Sequence, residues 1–298
     1  MTAAPTPTTT SSDPRPGDSQ GRGDTRPLAT ALIGVVAIGI GLLWFAFLFV
    51  RFREGALVDG AFVYAFDDAW GFDLEAYVHA AQRLSAEGSL YARELVAAPF
   101  EPGDADLFYY APPLGVAMLP VAEMPIADSS AGWYLVRVLL LLAACLLMPV
   151  KPLIRALAFL AVSVTLWSMK DAVLGNVSIL LVLPLVLAWR WLDRPIGSVA
   201  LAVSMSVRPG LGIFLLWQAL RRRWRALAWT IAAGIALIVL TLPFVGIHGY
   251  RDYFTVLGNL SVPTGPSENR DLGATVMALG GGDGPAAVAR LVGLALGV

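Results

Sequence analysis

The chain has 298 residues, 57% hydrophobic and only 14% charged, with a formal net charge of -1 and a mean hydropathy of +0.69. This balance excludes an ordinary soluble domain, and long continuous apolar runs exclude a transmembrane barrel, whose strands alternate over short segments. A single cysteine, Cys145, leaves no disulfide framework or zinc cluster, and no basic patch of the kind that binds nucleic acid is present.

Residues 1–27 are Thr, Ser, Pro, Gly, Asp and Arg with almost nothing apolar. They cannot bury enough surface to offset their ordering entropy, so they read as a disordered cytoplasmic tail. Residues 28–50 form the first span. It is too long for a signal-peptide core, and no small-residue cleavage site follows it, so it reads as an uncleaved anchor. A polar loop over 51–106 comes next. Within it Leu74, Tyr77, Val78, Ala81 and Leu84 recur at helical spacing, which predicts an amphipathic helix suited to the membrane interface. Asp73 falls at its N-cap or first turn, and Gly88 ends it.

Further apolar segments run near 111–127, 132–150, 153–169, 173–192, 196–220 and 226–247, the first of them short and interrupted by proline. A second polar loop, 248–271, precedes an apolar tail over 272–298, broken by "GGGDGP". The fold class expected is therefore all-α, a polytopic transmembrane helical bundle occupying residues 28–298. Basic residues set its orientation. "RRRWR", Arg221 to Arg225, is assigned to the cytoplasm, with Arg190 and Arg194, and Lys151 and Arg155, as the other basic helix ends. If all three groups share one side, 196–220 enters and leaves on that side as two half-helices with "RPG", Arg208 to Gly210, at the tip. If it crosses fully, Arg190 and Arg194 lie outside.

Several polar residues stand where they cost most. Arg208 lies in the middle of "ALAVSMSVRPGLGIFLLW". A charge at such depth costs roughly 2.5–3.5 kcal/mol and requires an anion. The anion is either an internal carboxylate, Asp171 or Asp73, or a bound phosphate held by the guanidinium fork, and the phosphate is the preferred reading. Asn176, inside an apolar run, needs a hydrogen-bonding partner. Lys170 and Asp171, at the edge of an apolar helix, read as the mark of a membrane boundary. Asp73 is an N-cap at the least, and a partly desolvated carboxylate there is also suited to general-base work. Asp67 and Asp68 read as solvated loop acids. "DAD" at Asp104 to Asp106 is too short a motif to define a metal site, and His79 and His248 are isolated.

In chain order these pieces resemble a known pattern. "DLEAYVHAAQRLSAEGSLY" is similar to the first-loop signature of glycosyltransferase family 87, and "YYAPPLGVAMLP" stands where that family has its Y-P-P segment. "LGNVSILLVL" resembles a G-Q-x-N stretch, with Asn176 nearest the glutamine. "SVRPGLGIFLLWQALRRRWRA" resembles a lysine-proline element followed by a basic turn, with Arg208 at the place of the lysine. "ENRDLGA" resembles an N-Q-S element, with Asn269 matching its asparagine. The resemblance runs from about Leu28 to the C-terminus.

It implies a GT-C type membrane enzyme with its active site on the extracytoplasmic side of the cell membrane. The implied donor is a polyprenyl-phosphate sugar, often mannose, and the acceptor a cell-envelope glycan or glycolipid. Transfer would invert the anomeric centre without a cofactor or metal. Carried onto this chain, Asp73 is the general base and Arg208 holds the departing lipid phosphate. Tyr77, Tyr110, Asn176 and Asn269 are further substrate-binding candidates. Two departures stand out: arginine and asparagine replace lysine and glutamine, and the chain ends at Val298, which reads as a shortened member. Two other classes fit some of the same features. Broken helices and a mid-membrane arginine also describe transporters, although no internal repeat is found, and a degenerate transferase would be a non-catalytic membrane subunit.

Overall fold

A computed structural model of the chain describes residues 26–53, 71–97, 108–260, 272–282 and 284–289. The N-terminal tail up to residue 25, Asp67, Asp68, Asp104 to Asp106, and Glu268 to Asp271 with Asn269 lie outside the described residues. The described residues are helical and hold no strand.

Helix α1, Arg26–Arg53, begins with the first expected span and packs along α6, Pro152–Ser163. Helix α2 is Phe72–Glu87, and α3 is the short Arg93–Ala97. The short, proline-interrupted segment near 111–127 is divided and does not form one span. Pro112 and Pro113 start a six-residue α4, Pro112–Ala117, Pro120 sits in a 3-10 turn at Leu119–Val121, and Pro125 caps the next helix. Each proline lacks the N–H that a continuous helix would use, so the run divides at these points. Helix α5, Ile126–Leu147, is a full-length span.

The stretch expected over 153–169 breaks at Val164 and Thr165, so that α6 and α7, Leu166–Leu174, meet at 64°. A 3-10 turn, Val177–Leu181, leads into α8, Val182–Trp191. Then come α9, Pro195–Val207, a second 3-10 turn at Pro209–Gly212, and α10, Ile213–Leu220. Helix α11, Trp224–Leu260, is broken at Gly246, where φ is 62°. Its second half occupies part of what reads in the sequence as a polar loop. Tyr253 and Val256 are buried there, and Asn259 donates to the Leu95 carbonyl at 2.9 Å, fastening this half to α3. Helix α12 is Leu272–Ala278.

Three described helices are long and apolar enough to cross a membrane, or four if the bent α6–α7 pair counts as one span. Leu32, Leu43, Leu139 and Leu240 are exposed on them, as lipid-facing positions should be. Inside, Phe45, Tyr134, Leu141 and Phe159 form one core between α1, α5 and α6, and the Tyr134 hydroxyl donates to the Phe45 carbonyl at 2.8 Å. A second core gathers the apolar stripe of α2 with Leu90, Phe108, Leu114 and Val256. That stripe was expected at the membrane interface. It is covered by protein instead, with Leu74 and Tyr77 each 1% exposed.

The short helices return to a common end. Arg223 pairs with Asp193 at 3.2 Å, joining the α10–α11 turn to the α8–α9 turn. The Ser198 hydroxyl donates to the Ala226 carbonyl and the Gln218 amide to the Thr230 hydroxyl. Arg190 donates to the Leu147 carbonyl and Arg155 to that of Leu146. The three basic helix ends therefore lie together. The chain runs from Asp193 up α9 to Arg208 and back down α10 to Arg223, as in the half-helix reading, with the Arg-Pro-Gly break at the far end.

Candidate active site

At that far end, the site begins with two glycines. Helix α7 ends at Gly175, φ 72°, whose N–H donates to the Asp171 carbonyl. Helix α2 begins after Gly71, φ 92°, whose N–H donates to the Val173 carbonyl at 2.7 Å. Both positive φ values favour glycine. The approach of the two helix ends also demands it, because a Cβ on Gly175 would stand 2.9 Å from the Leu74 Cβ and 3.3 Å from the Gly71 Cα. The Trp133 indole on α5 fixes the same corner by donating to the Gly175 carbonyl at 2.7 Å.

Asn176 follows Gly175 in extended conformation and caps the 3-10 turn. Its Oδ1 accepts from the Ser178 N–H at 2.9 Å and the Ser178 hydroxyl at 2.6 Å. This orients the other half of the amide, so Nδ2 donates to Asp73 Oδ2 at 2.6 Å. Asp73 lies in the first turn of α2 and makes no side-chain cap, so its expected role as an N-cap gives way to this bond across the corner. The helix N-terminus still favours its negative charge. Burial nevertheless dominates and pushes the Asp73 carboxyl above the ordinary carboxylate value. The Asn176 hydrogen bond and the fields of Arg208 and Arg137 only partly offset that. Among the described residues, Oδ1 of Asp73 accepts no hydrogen bond.

Arg208 reaches the site from α9. Its backbone is extended because Pro209 follows, and Pro209 opens the next turn. Its Nη2 donates to the Ser178 hydroxyl at 3.0 Å. Among the described residues the exposed guanidinium makes this one hydrogen bond, so its other N–H groups are available to an anion. The internal partners considered from the sequence divide differently. Asp73 is held by Asn176, and Asp171 is paired with Arg137 on α5. Arg137, 2% exposed inside "WYLVRVLLLL", is not among the sequence candidates. The signal was present, since a charge in an apolar span demands a carboxylate. Ser178, the joint between Asn176 and Arg208, carried no such signal.

An aromatic cluster forms the wall beside Asp73. The Tyr77 hydroxyl, on α2, donates to the Tyr110 hydroxyl at 3.2 Å, and the rings meet edge to face at 5.2 Å. Burial drives the Tyr77 phenol far above its ordinary value, so it stays protonated and acts as a hydrogen-bonding group. A cavity of about 480 Å³, lined by Asp171, Asn176, Ser178, Lys170 and Trp167 among others, opens beside Asn176. Of the sequence candidates, then, Asp73, Asn176, Arg208, Tyr77 and Tyr110 gather at one end of the bundle. Asn269 lies outside the described residues.

A half-buried carboxylate and an exposed guanidinium, joined by a serine–asparagine bridge, thus stand together at one end of the helical bundle. The chain belongs to glycosyltransferase family 87, whose family model matches residues 108–298. It is a multi-pass membrane glycosyltransferase. The matched region carries Tyr110, Asn176 and Arg208, and α2 with Asp73 precedes it. No curated protein and no solved structure matches the chain.

Proposed function

We propose that the chain moves a hexose, with mannose as the sugar, from a polyprenyl-phosphate donor to a glycan or glycolipid acceptor of the cell envelope, with inversion. Asp73 takes the proton from the acceptor hydroxyl. The acceptor oxygen forms the new bond to the anomeric carbon, and the bond from that carbon to the phosphate oxygen breaks. The electron pair leaves with the lipid phosphate, which Arg208 holds through its remaining N–H groups. A carboxyl raised above the ordinary range is a stronger base than a solvated one, which favours the proton transfer.

The observation that carries this reading is the Asp73–Asn176–Ser178–Arg208 chain of hydrogen bonds, which sets base and cation at a fixed relation. The three basic helix ends at the opposite end of the bundle support a cytoplasmic assignment for that end and an extracytoplasmic one for the site. The test is sugar transfer in membranes from radiolabelled polyprenyl-phosphate mannose to a crude envelope-glycolipid extract. Wild type transfers, while Asp73→Asn, expressed at the same level, does not. Unchanged transfer by Asp73→Asn removes Asp73 as the base.

A further inference from the structure

Three consecutive rings, Phe108, Tyr109 and Tyr110, precede α4. Phe108 is 0% and Tyr110 4% exposed, whereas Tyr109 between them is 39% exposed. The burial of the first and third is expected, since they fill the core beneath α2. The exposure of the second is not explained by packing. Tyr109 lies flat on Tyr110, with ring centroids 4.8 Å apart and planes inclined by 18°. Tyr110 is itself fixed, its hydroxyl by Tyr77 and its carbonyl by the Tyr91 hydroxyl at 2.8 Å. The following residues, Ala111 in extended conformation and Pro112 at the first helical position, stiffen the exit. Tyr109 is therefore a rigid shelf with one face supported. Among the described residues no other ring stacks on it.

The surroundings of this shelf are not those of an interfacial belt residue. Tyr109 lies within electrostatic reach of both the Asp73 carboxylate and the Arg208 guanidinium. On the reading above, Arg208 holds the lipid phosphate and Asp73 faces the acceptor oxygen. The group that joins phosphate to acceptor oxygen during transfer is the sugar. Its ring must occupy the interval that Tyr109 flanks. The C–H face of a pyranose is apolar, and an aromatic ring held rigid in advance offers it a large contact at little ordering cost.

We infer that the open face of Tyr109 is the platform for the sugar ring of the lipid-phosphate donor, an assignment that rests on the donor reading above. Tyr109 recognises the sugar and leaves the phosphate and the lipid chain to other groups.

The experiment measures affinity of the detergent-solubilised full chain for two ligands. One is the sugar-free polyprenyl phosphate, and the other the tightest-binding member of a panel bearing mannose, glucose, galactose or arabinofuranose. Wild type binds the sugar-bearing lipid more tightly. Tyr109→Ala loses that preference, weakening the sugar-bearing lipid by roughly three- to ten-fold while its affinity for the bare phosphate stays within two-fold, the latter also reporting an intact fold. Tyr109→Phe keeps the ring and restores the preference. Retention of the preference by Tyr109→Ala, or equal weakening of both lipids, overturns the platform and leaves the donor reading standing. Failure of wild type to bind either lipid overturns the donor reading, and the platform with it.

Discussion

Replacing Asn176 by serine separates two jobs that the asparagine performs. A serine still caps the 3-10 turn, because its hydroxyl accepts from the Ser178 N–H as the amide oxygen does now. It is too short to reach Asp73, so the 2.6 Å bond from Nδ2 to the carboxylate is lost. Hydrogen bonds to charged groups contribute about 1.5–3 kcal/mol, and partial exposure of Asp73 places this one in the lower half of that range. The bond favours the ionised carboxylate, so its loss raises the Asp73 pKa further, and activity that needs the ionised base fades at a higher pH than in wild type. On the acid side of the profile, transfer by Asn176→Ser falls roughly ten- to thirty-fold below wild type. At higher pH, with the carboxylate ionised in both proteins, the gap narrows. The assay is sugar transfer from the polyprenyl-phosphate donor over a pH series, with thermal unfolding in detergent as the control. A loss equal at every pH, or an acid limb displaced downward, would refute the assignment of Asn176 as the group that tunes Asp73.

Gly175→Ala places a methyl 2.9 Å from the Leu74 Cβ at a φ of 72°, so α2 must lift off α7. The cost is about 1–3 kcal/mol, read as a lower unfolding temperature accompanied by loss of transfer. Removing one partner of the buried Arg137–Asp171 pair, as in Asp171→Asn, leaves a guanidinium uncompensated and costs about 3–5 kcal/mol. The double variant Arg137→Met with Asp171→Leu unfolds close to wild type, and a double variant no more stable than Asp171→Asn argues against a simple ion-pair account. In a Cys145→Ala background, Ala86→Cys is labelled by a membrane-impermeant maleimide added to intact spheroplasts, and Arg221→Cys only after lysis. Labelling of Arg221→Cys from outside reverses the orientation.

The long spans were legible because apolar composition sustained over 20 or more residues has few other interpretations, as in α1 and α5. The interruption of the apolar run near 111–127 was legible from its prolines, Pro112, Pro113, Pro120 and Pro125, while composition alone would join it into a span. Composition did mislead after Gly246, where His248, Arg251 and Asp252 suggested a loop. Tyr253 and Val256 of the same segment bury one helical face. At the site, single polar residues were readable because a charge or an amide inside an apolar run needs a partner, as with Arg208 and Asn176. Pairings were not readable. Arg208 had two candidate carboxylates in the sequence, and the fold gave one to Arg137 and the other to Asn176. The distance between Asn176 and Asp73, 103 positions apart, is set by packing of α2 on α7, which no local pattern encodes.

Because the chain climbs α9 from the Asp193–Arg223 clasp and descends α10 to it, the helix acts as a ruler for the guanidinium at its tip. At 1.5 Å per residue, the 13 residues of α9 measure about 20 Å. With the clasp at one boundary of a hydrocarbon layer ~30 Å thick, the tip stops about 10 Å short of the other boundary. On the proposed donor reading, a phosphate meeting Arg208 there has left the headgroup plane, and bulk water has less access to its sugar. Lengthening α9 by one turn would raise the tip by about 5.4 Å without rotating it far, while a single added residue would swing the guanidinium by about 100° away from Ser178. On that reading the depth at which the lipid is met is written in a helix length, and transfer should respond to bilayer thickness.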